Sequence, residues 1–225
     1  HGLQDVEIRY RQRYLDLIAN PEVREIARQR ARMITGIRKF FDQRGYVEVE
    51  TPILQPLAGG ASAQPFVTHH NALNADFYLR IAPELYLKRL LVGGLEKVYE
   101  ISRCFRNEGI DRNHNPEFTQ IEFYQAYQDY QYCMNLVEDL LAQVVPTVAG
   151  NCKLQHEGVE LDFTPPFARL SFAEAIKKYA DIDLARYNIC HDSMPSPQGG
   201  GMTGIIPGND LKQAVEKLGL KIEPQ

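Results

Sequence analysis

The sequence is poor in the features that would set it outside the ordinary globular class. Cysteine is scarce. The four residues Cys104, Cys133, Cys152 and Cys190 are too widely spaced for a C-x-x-C zinc knuckle or a compact disulfide framework, so reduced thiols in the cytosol are expected. Long apolar runs are absent. None approaches the roughly 20 residues of a membrane-spanning helix, and residues 1–7 lack the apolar stretch of a signal peptide, which predicts a soluble, cytoplasmic chain without a membrane partner. Basic charge is not in excess either. Against 25 Lys and Arg stand 29 Asp and Glu, a formal charge of -4, which excludes a global field that would hold nucleic acid non-specifically. What is present, 44% hydrophobic residues in 225, is enough apolar material for one large domain, or one domain with an appendage.

Apolar residues recur at Ile26, Met33, Ile34, Ile37, Phe40 and Phe41, the spacing of one helix face, and predict a long helix over 21–44. Asn20 is placed to cap it, Pro21 suits its first position, and Gly45 can adopt the left-handed conformation that closes it. A strand over 46–50 follows, with Glu48 and Glu50 on a solvated face, before Pro52 interrupts the ladder. The small-residue run 57–65 allows a backbone to approach a ligand closely. Residues 77–82 read as a strand, and 83–92 as a helix ending at Gly93-Gly94 with Glu84 in its first turn.

Residues 98–127 read as a long antiparallel hairpin around the polar loop 109–116. A period of two puts Glu100, Ser102, Cys104 and Arg106 on one face of the first strand, and Phe118, Gln120, Glu122 and Tyr124 on the matching face of the second. The opposite face is more apolar and suits packing under helices. A further helix is expected over 130–145, a strand over 161–163, and a capping box from Ser171 to Glu174. The Pro- and Gly-rich segment 192–208 reads as a linker and 209–218 as a short helix, giving expected divisions at 1–191, 192–208 and 209–225.

Each candidate site residue has an ordinary reading beside a functional one. Glu122, central in its strand, is an exposed edge residue, half of a buried ion pair, or a recognition group for a cation, with the Tyr124 hydroxyl two residues on. Arg106 is a surface ion-pair partner or, with Asn107, Glu108 and His114, a clamp for phosphate and adenine. Phe118 is a core side chain or a stacking platform. His69 and His70 are adjacent on a strand, point to opposite faces, and read as structural rather than as ligands of one metal ion.

Residues 40–52, Phe-Phe-Asp-Gln-Arg-Gly-Tyr-Val-Glu-Val-Glu-Thr-Pro, and residues 105–118, from Phe105-Arg-Asn-Glu108 to His114-Asn-Pro-Glu-Phe118, resemble motifs 1 and 2 of class II aminoacyl-tRNA synthetases. Within that class, residues 59–66, 69–73, 80–89 and 119–127 are similar to lysyl-tRNA synthetases rather than to their aspartyl or asparaginyl relatives. The resemblance covers about residues 1–180 and implies an α+β fold, a central antiparallel β-sheet flanked by helices, dimerising through the region from Ile26 to Pro52. It implies ATP and Mg2+, lysine, and tRNA-Lys. By the same resemblance Arg106 is the catalytic residue, on the α-phosphate and the lysine carboxylate. Asn107 joins the ATP-binding set, Glu108 takes the adenine edge, His114 and Asn115 the distal phosphates, and Phe118 the adenine face. Gly60 and Glu84 take the α-amino group, and Glu122 and Tyr124 the ε-ammonium.

The chain departs from the family pattern in places. No segment matches motif 3, with its second ATP-binding arginine, or the anticodon-binding OB-fold domain, and the acidic residues that hold magnesium are not found, so little or no turnover is expected from these residues alone. Ala58 stands where the family usually has proline, and Gln64 where it usually has a basic residue. Two alternatives are a paralogue that lysylates a translation elongation factor, and a non-catalytic dimeric nucleotide-binding module.

Overall fold

The computed structural model describes residues 2–111 and 113–183. The expected linker 192–208, the helix 209–218, the divisions at 191 and 208, and Cys190 lie outside the described residues. The chain divides into two compact units between Phe167 and Ala168.

In the first unit, α1 (Val6–Arg11) and α2 (Arg13–Ala19) lead into α3 (Pro21–Asp42). Asn20 does not cap α3 with its side chain. It donates instead to the buried Asp16 carboxylate at 2.7 Å and to the Leu3 carbonyl at 2.8 Å. Asp16 also draws in Arg9 at 2.8 Å and Arg13 at 2.5 Å. A carboxylate buried this deeply demands several donors, and that demand outweighs one exposed cap. Gly45, at φ 75, turns the chain after α3 as expected.

Strand β1 (Val47–Glu48) is shorter than the expected 46–50. The sheet formed by β2 (Leu54–Gln55), β3 (Val67–His70) and β4 (Ala75–Leu79) has the order β2-β4-β3 and is antiparallel. Its last strand starts and ends earlier than the expected 77–82. His69 meets Asp76 at 2.9 Å, while the His70 ring lies 5.5 Å from that of Phe77. Helix α4 (Glu84–Val92) starts behind Pro83 and stops at Gly93, as its punctuation predicts.

The hairpin is β5 (Lys97–Phe105) and β6 (Glu117–Gln125), paired antiparallel along their whole length. β1 joins its outer edge in parallel, giving the order β1-β5-β6, because the long connection from β1 to β5 permits a crossover that a tight turn would not. Helix α5 (Tyr130–Ala149), capped by Asp129, outruns the expected 130–145, carries Pro146 near its end and closes at Gly150, φ 84. A small hairpin follows, β7 (Lys153–His156) with β8 (Val159–Asp162). Its first strand went unforeseen because Lys-Leu-Gln-His has a single apolar residue to alternate. In the second unit α6 (Phe172–Ala180) carries the expected capping box between Ser171 and Glu174.

The core of the first unit lies where α3 and α5 cover the apolar face of the β5–β6 hairpin. Phe40, Phe41, Tyr46, Tyr99 and Leu136 are buried there, with Ile101, Ile121 and Phe123 against them. The Phe41 ring stands 4.8 Å from Tyr99, 5.0 Å from Tyr46 and 5.2 Å from Phe123. Buried tyrosines need partners for their hydroxyls. Tyr99 donates to Asp42 and Glu48 at 3.0 and 3.1 Å, and Tyr46 to Gln125 at 2.6 Å. Glu48 is therefore a bonded group, held also by Arg38, rather than a merely solvated one. Ile26, assigned by periodicity to the apolar stripe, is 63% exposed, as are many of its apolar neighbours in this part of the chain. No helix of the described residues is long and apolar enough to cross a membrane.

Candidate active site on the β5–β6 hairpin

The strand register decides which side chains meet. Cys104 pairs with Phe118, Ser102 with Gln120, Glu100 with Glu122 and Val98 with Tyr124, so these residues share the face of the hairpin opposite the Phe41 cluster, and those from β5 are buried. Alternation in the sequence sorted them the same way, because successive side chains of a strand point to opposite faces.

At one end of that face Glu122 is half-buried and accepts hydrogen bonds from two neutral donors, Gln120 at 2.8 Å and Tyr124 at 3.2 Å. Its carboxyl pKa is raised, first by burial and then by the carboxylates of Glu84 and Glu100, against opposing contributions from Tyr124 and Lys88. Tyr124 is raised as well, by burial, Glu122 and Glu84. Glu84, in the first turn of α4, belongs to the same group of charges. Gly60 packs directly on it: at φ 88 a β-carbon there would stand 3.0 Å from Glu84 Cβ, 3.3 Å from Ala82 Cβ and 3.6 Å from Glu84 Oε2. The four residues assigned to the amino acid, Gly60, Glu84, Glu122 and Tyr124, thus gather in one acidic cluster.

Beside that cluster, across the strand pair from Glu122, is a group that sequence reasoning missed. Arg80, 3% exposed, bonds Glu100 at 2.6 Å, the Thr51 carbonyl at 3.0 Å and the Arg103 carbonyl at 2.8 Å. Thr51 closes the set by donating to Glu100 at 2.7 Å. A carboxylate on an inner strand position, Glu100, was the available signal. Its partner could not be found by spacing, since Arg80 comes from the segment between β4 and α4.

At the other end of the face the loop from β5 to β6 shapes a cavity of about 220 Å³, lined by Arg106, Glu108, Gly109, Asn113, His114, Asn115, Pro116 and Phe118. The Arg106 N–H donates to the Pro116 carbonyl at 2.8 Å and ties off the loop. Its guanidinium lies 5.1 Å from the Phe118 ring centroid, within cation–π range. Arg106 Nε is buried with no hydrogen-bond partner, a position an anionic ligand would satisfy. Glu108 accepts from the Gln64 N–H at 3.2 Å, and the Asn107 N–H donates to the Gln64 carbonyl at 2.8 Å, so Gln64 braces this loop with its backbone. Asn107 does not line the cavity. His114 is held by Asp111 at 2.7 Å, a partner three residues away that was not anticipated. The hydrogen bonds that Asp111 accepts, led by the Asn113 N–H, keep its carboxyl below the usual range. Among the described residues no three His, Cys, Asp or Glu side chains converge as a metal-ligand set.

Acidic side chains gather toward one end of this hairpin face, and a cavity lined by Arg106 lies at the other. The chain belongs to the class II tRNA synthetases (D, K and N), whose family model matches residues 5–223. Among individual proteins it is similar to the lysine–tRNA ligase of Moorella thermoacetica, 54% identical over 224 residues, which are 100% of this chain and 42% of that protein. It is 60% identical over 185 residues to the lysine–tRNA ligase of Syntrophomonas wolfei, covering 82% of this chain and 38% of that protein. To the enzyme of that name from Clostridium botulinum strain Loch Maree it is 57% identical over 194 residues, 86% of this chain and 38% of that protein. The chain spans about two-fifths of the length of these relatives.

Proposed function

We propose that this chain supplies the amino-acid and ATP face of a lysine–tRNA ligase. The observation that carries the reading is Glu122, a half-buried carboxylate met by neutral donors and crowded by two further carboxylates, which favours a cationic guest. A guest ammonium removes the repulsion that Glu122 meets, and a neutral side chain of the same length does not.

The reaction proposed is attack of the lysine carboxylate on the α-phosphorus of ATP, with release of pyrophosphate, followed by transfer of the lysyl group to the 3′-terminal adenosine of tRNA-Lys. Arg106 is the residue proposed to hold both anions, and its unpartnered buried Nε supports that role. Phe118 beneath it offers a face to adenine, with Asn107, Glu108, His114 and Asn115 as the proposed remaining contacts to ATP. His114 reaches that role while bonded to Asp111, which fixes its ring rather than leaving it to swing. Gly60 and Glu84 take the α-ammonium, and Glu122 and Tyr124 the ε-ammonium. In this scheme the protein positions two anions and stabilises the charge that develops between them. Magnesium belongs to the proposed reaction, but among the described residues no three His, Cys, Asp or Glu side chains converge, and no step is assigned to it. A homodimer through the region from Ile26 to Pro52 is proposed as well, supported by the exposure of Ile26 and Val47.

Titration calorimetry with the three amino acids of the family tests the reading. Lysine is expected to give a binding isotherm while aspartate and asparagine give none. A signal from aspartate or asparagine, or none from lysine, overturns it.

A further inference from the structure

Lys88 lies one helical turn after Glu84 on α4 and plays no part in the scheme above. Its ammonium bonds Glu84 Oε1 at 2.5 Å and stands 5.9 Å from the Tyr124 ring centroid. It also exerts a favourable charge effect on Glu122. One cation thus touches or senses three of the four residues that form the acidic cluster. Its side chain is nonetheless 56% exposed on a flexible four-carbon stem, so nothing fixes it in place except that charge.

We propose that Lys88 is a displaceable counter-cation, whose ammonium balances Glu84 and Glu122 in the free chain and is expelled to solvent when a diamino acid enters. The inference rests on the reading of these residues as the amino-acid pocket. It adds a source of selectivity. Two carboxylates with one internal lysine carry a net negative charge, and a guest that expels Lys88 must bring two ammonium groups to leave neither carboxylate bare. An amino acid with a neutral side chain brings one, and either fails to displace Lys88 or leaves Glu122 uncompensated.

The test is brief acetylation of the chain with N-hydroxysuccinimidyl acetate, read by peptide mass spectrometry as the ratio of modification at Lys88 to that at Lys153. The reference is remote from the pocket and equally exposed, at 57%. Saturating L-lysine is expected to raise the ratio about two-fold, the factor an exposed i,i+4 ion pair is worth, and L-norleucine to leave it unchanged. A bound guest that merely shields the pocket lowers the ratio, and a positioning role leaves it constant. Either result, with lysine binding visible by calorimetry, overturns the inference and leaves the lysine reading standing. No binding heat and no change in the ratio overturn both. As a second measurement, Lys88→Met is expected to tighten lysine binding about two-fold because the guest no longer competes with a tethered ammonium. Weaker binding in that variant would show that Lys88 holds Glu84 in place, and would count against displacement.

Discussion

Glu100 and Glu122 face one another as partners across β5 and β6, yet only Glu100 is in a direct buried ion pair, with Arg80 at 2.6 Å. The structural carboxylate and the one proposed to meet substrate are thus set apart by which of them owns a buried arginine. Breaking such a pair on one side leaves a buried charge behind, so Arg80→Met is expected to cost about 3–5 kcal/mol in urea denaturation. Adding Glu100→Gln removes the stranded charge and should recover part of the loss. A double variant as unstable as the sum of the single ones would contradict this account.

The pH dependence of Glu122 has a definite sign. Its carboxyl holds a proton more tightly in the folded than in the unfolded chain, chiefly because it is half-buried. Below the ordinary carboxylate range both states are protonated and the group costs nothing. As pH rises from that range through the raised folded value, the folded state loses stability. Glu122→Gln removes the titration. Its stability relative to the wild type should therefore rise between pH 4 and pH 8, measured as the difference in urea midpoint at each pH. A difference that stays constant or falls would contradict the assignment.

Gly60 combines a left-handed φ of 88 with a β-carbon position 3.0 Å from Glu84 Cβ. Gly60→Ala should cost about 1–2 kcal/mol of stability from the backbone alone. It should also push Glu84 out of place and weaken lysine binding. Calorimetry beside thermal denaturation separates the two effects. Lysine binding as tight as in the wild type would mean that Gly60 does not shape the pocket.

Local patterns made the hairpin face legible in the sequence, and tertiary demands hid the rest. Alternation from Glu100 to Tyr124 sorts the face correctly because side chains of a paired strand point to the two faces in turn, whichever of them is covered. The α4 helix was equally plain from Pro83 and Gly93. Asn20 was misjudged as a cap because the carboxylate that recruits it, Asp16, reveals its burial only once α2 has packed. Arg80 and Glu100 lie 20 positions apart on different elements, and no spacing rule joins them. Lys88 was visible as a helical neighbour of Glu84, but its nearness to Tyr124 required the helix to be seated on β6.

The most direct test of the central claim is a pair of calorimetric titrations, L-lysine against its uncharged analogue L-norleucine, on the wild type and on Glu122→Gln. A charge-assisted hydrogen bond to a half-buried carboxylate predicts that the wild type prefers lysine on the order of ten-fold or more, and that the variant loses this preference. Norleucine binding as well as lysine, or a preference that survives the substitution, would contradict the claim that Glu122 selects an ammonium.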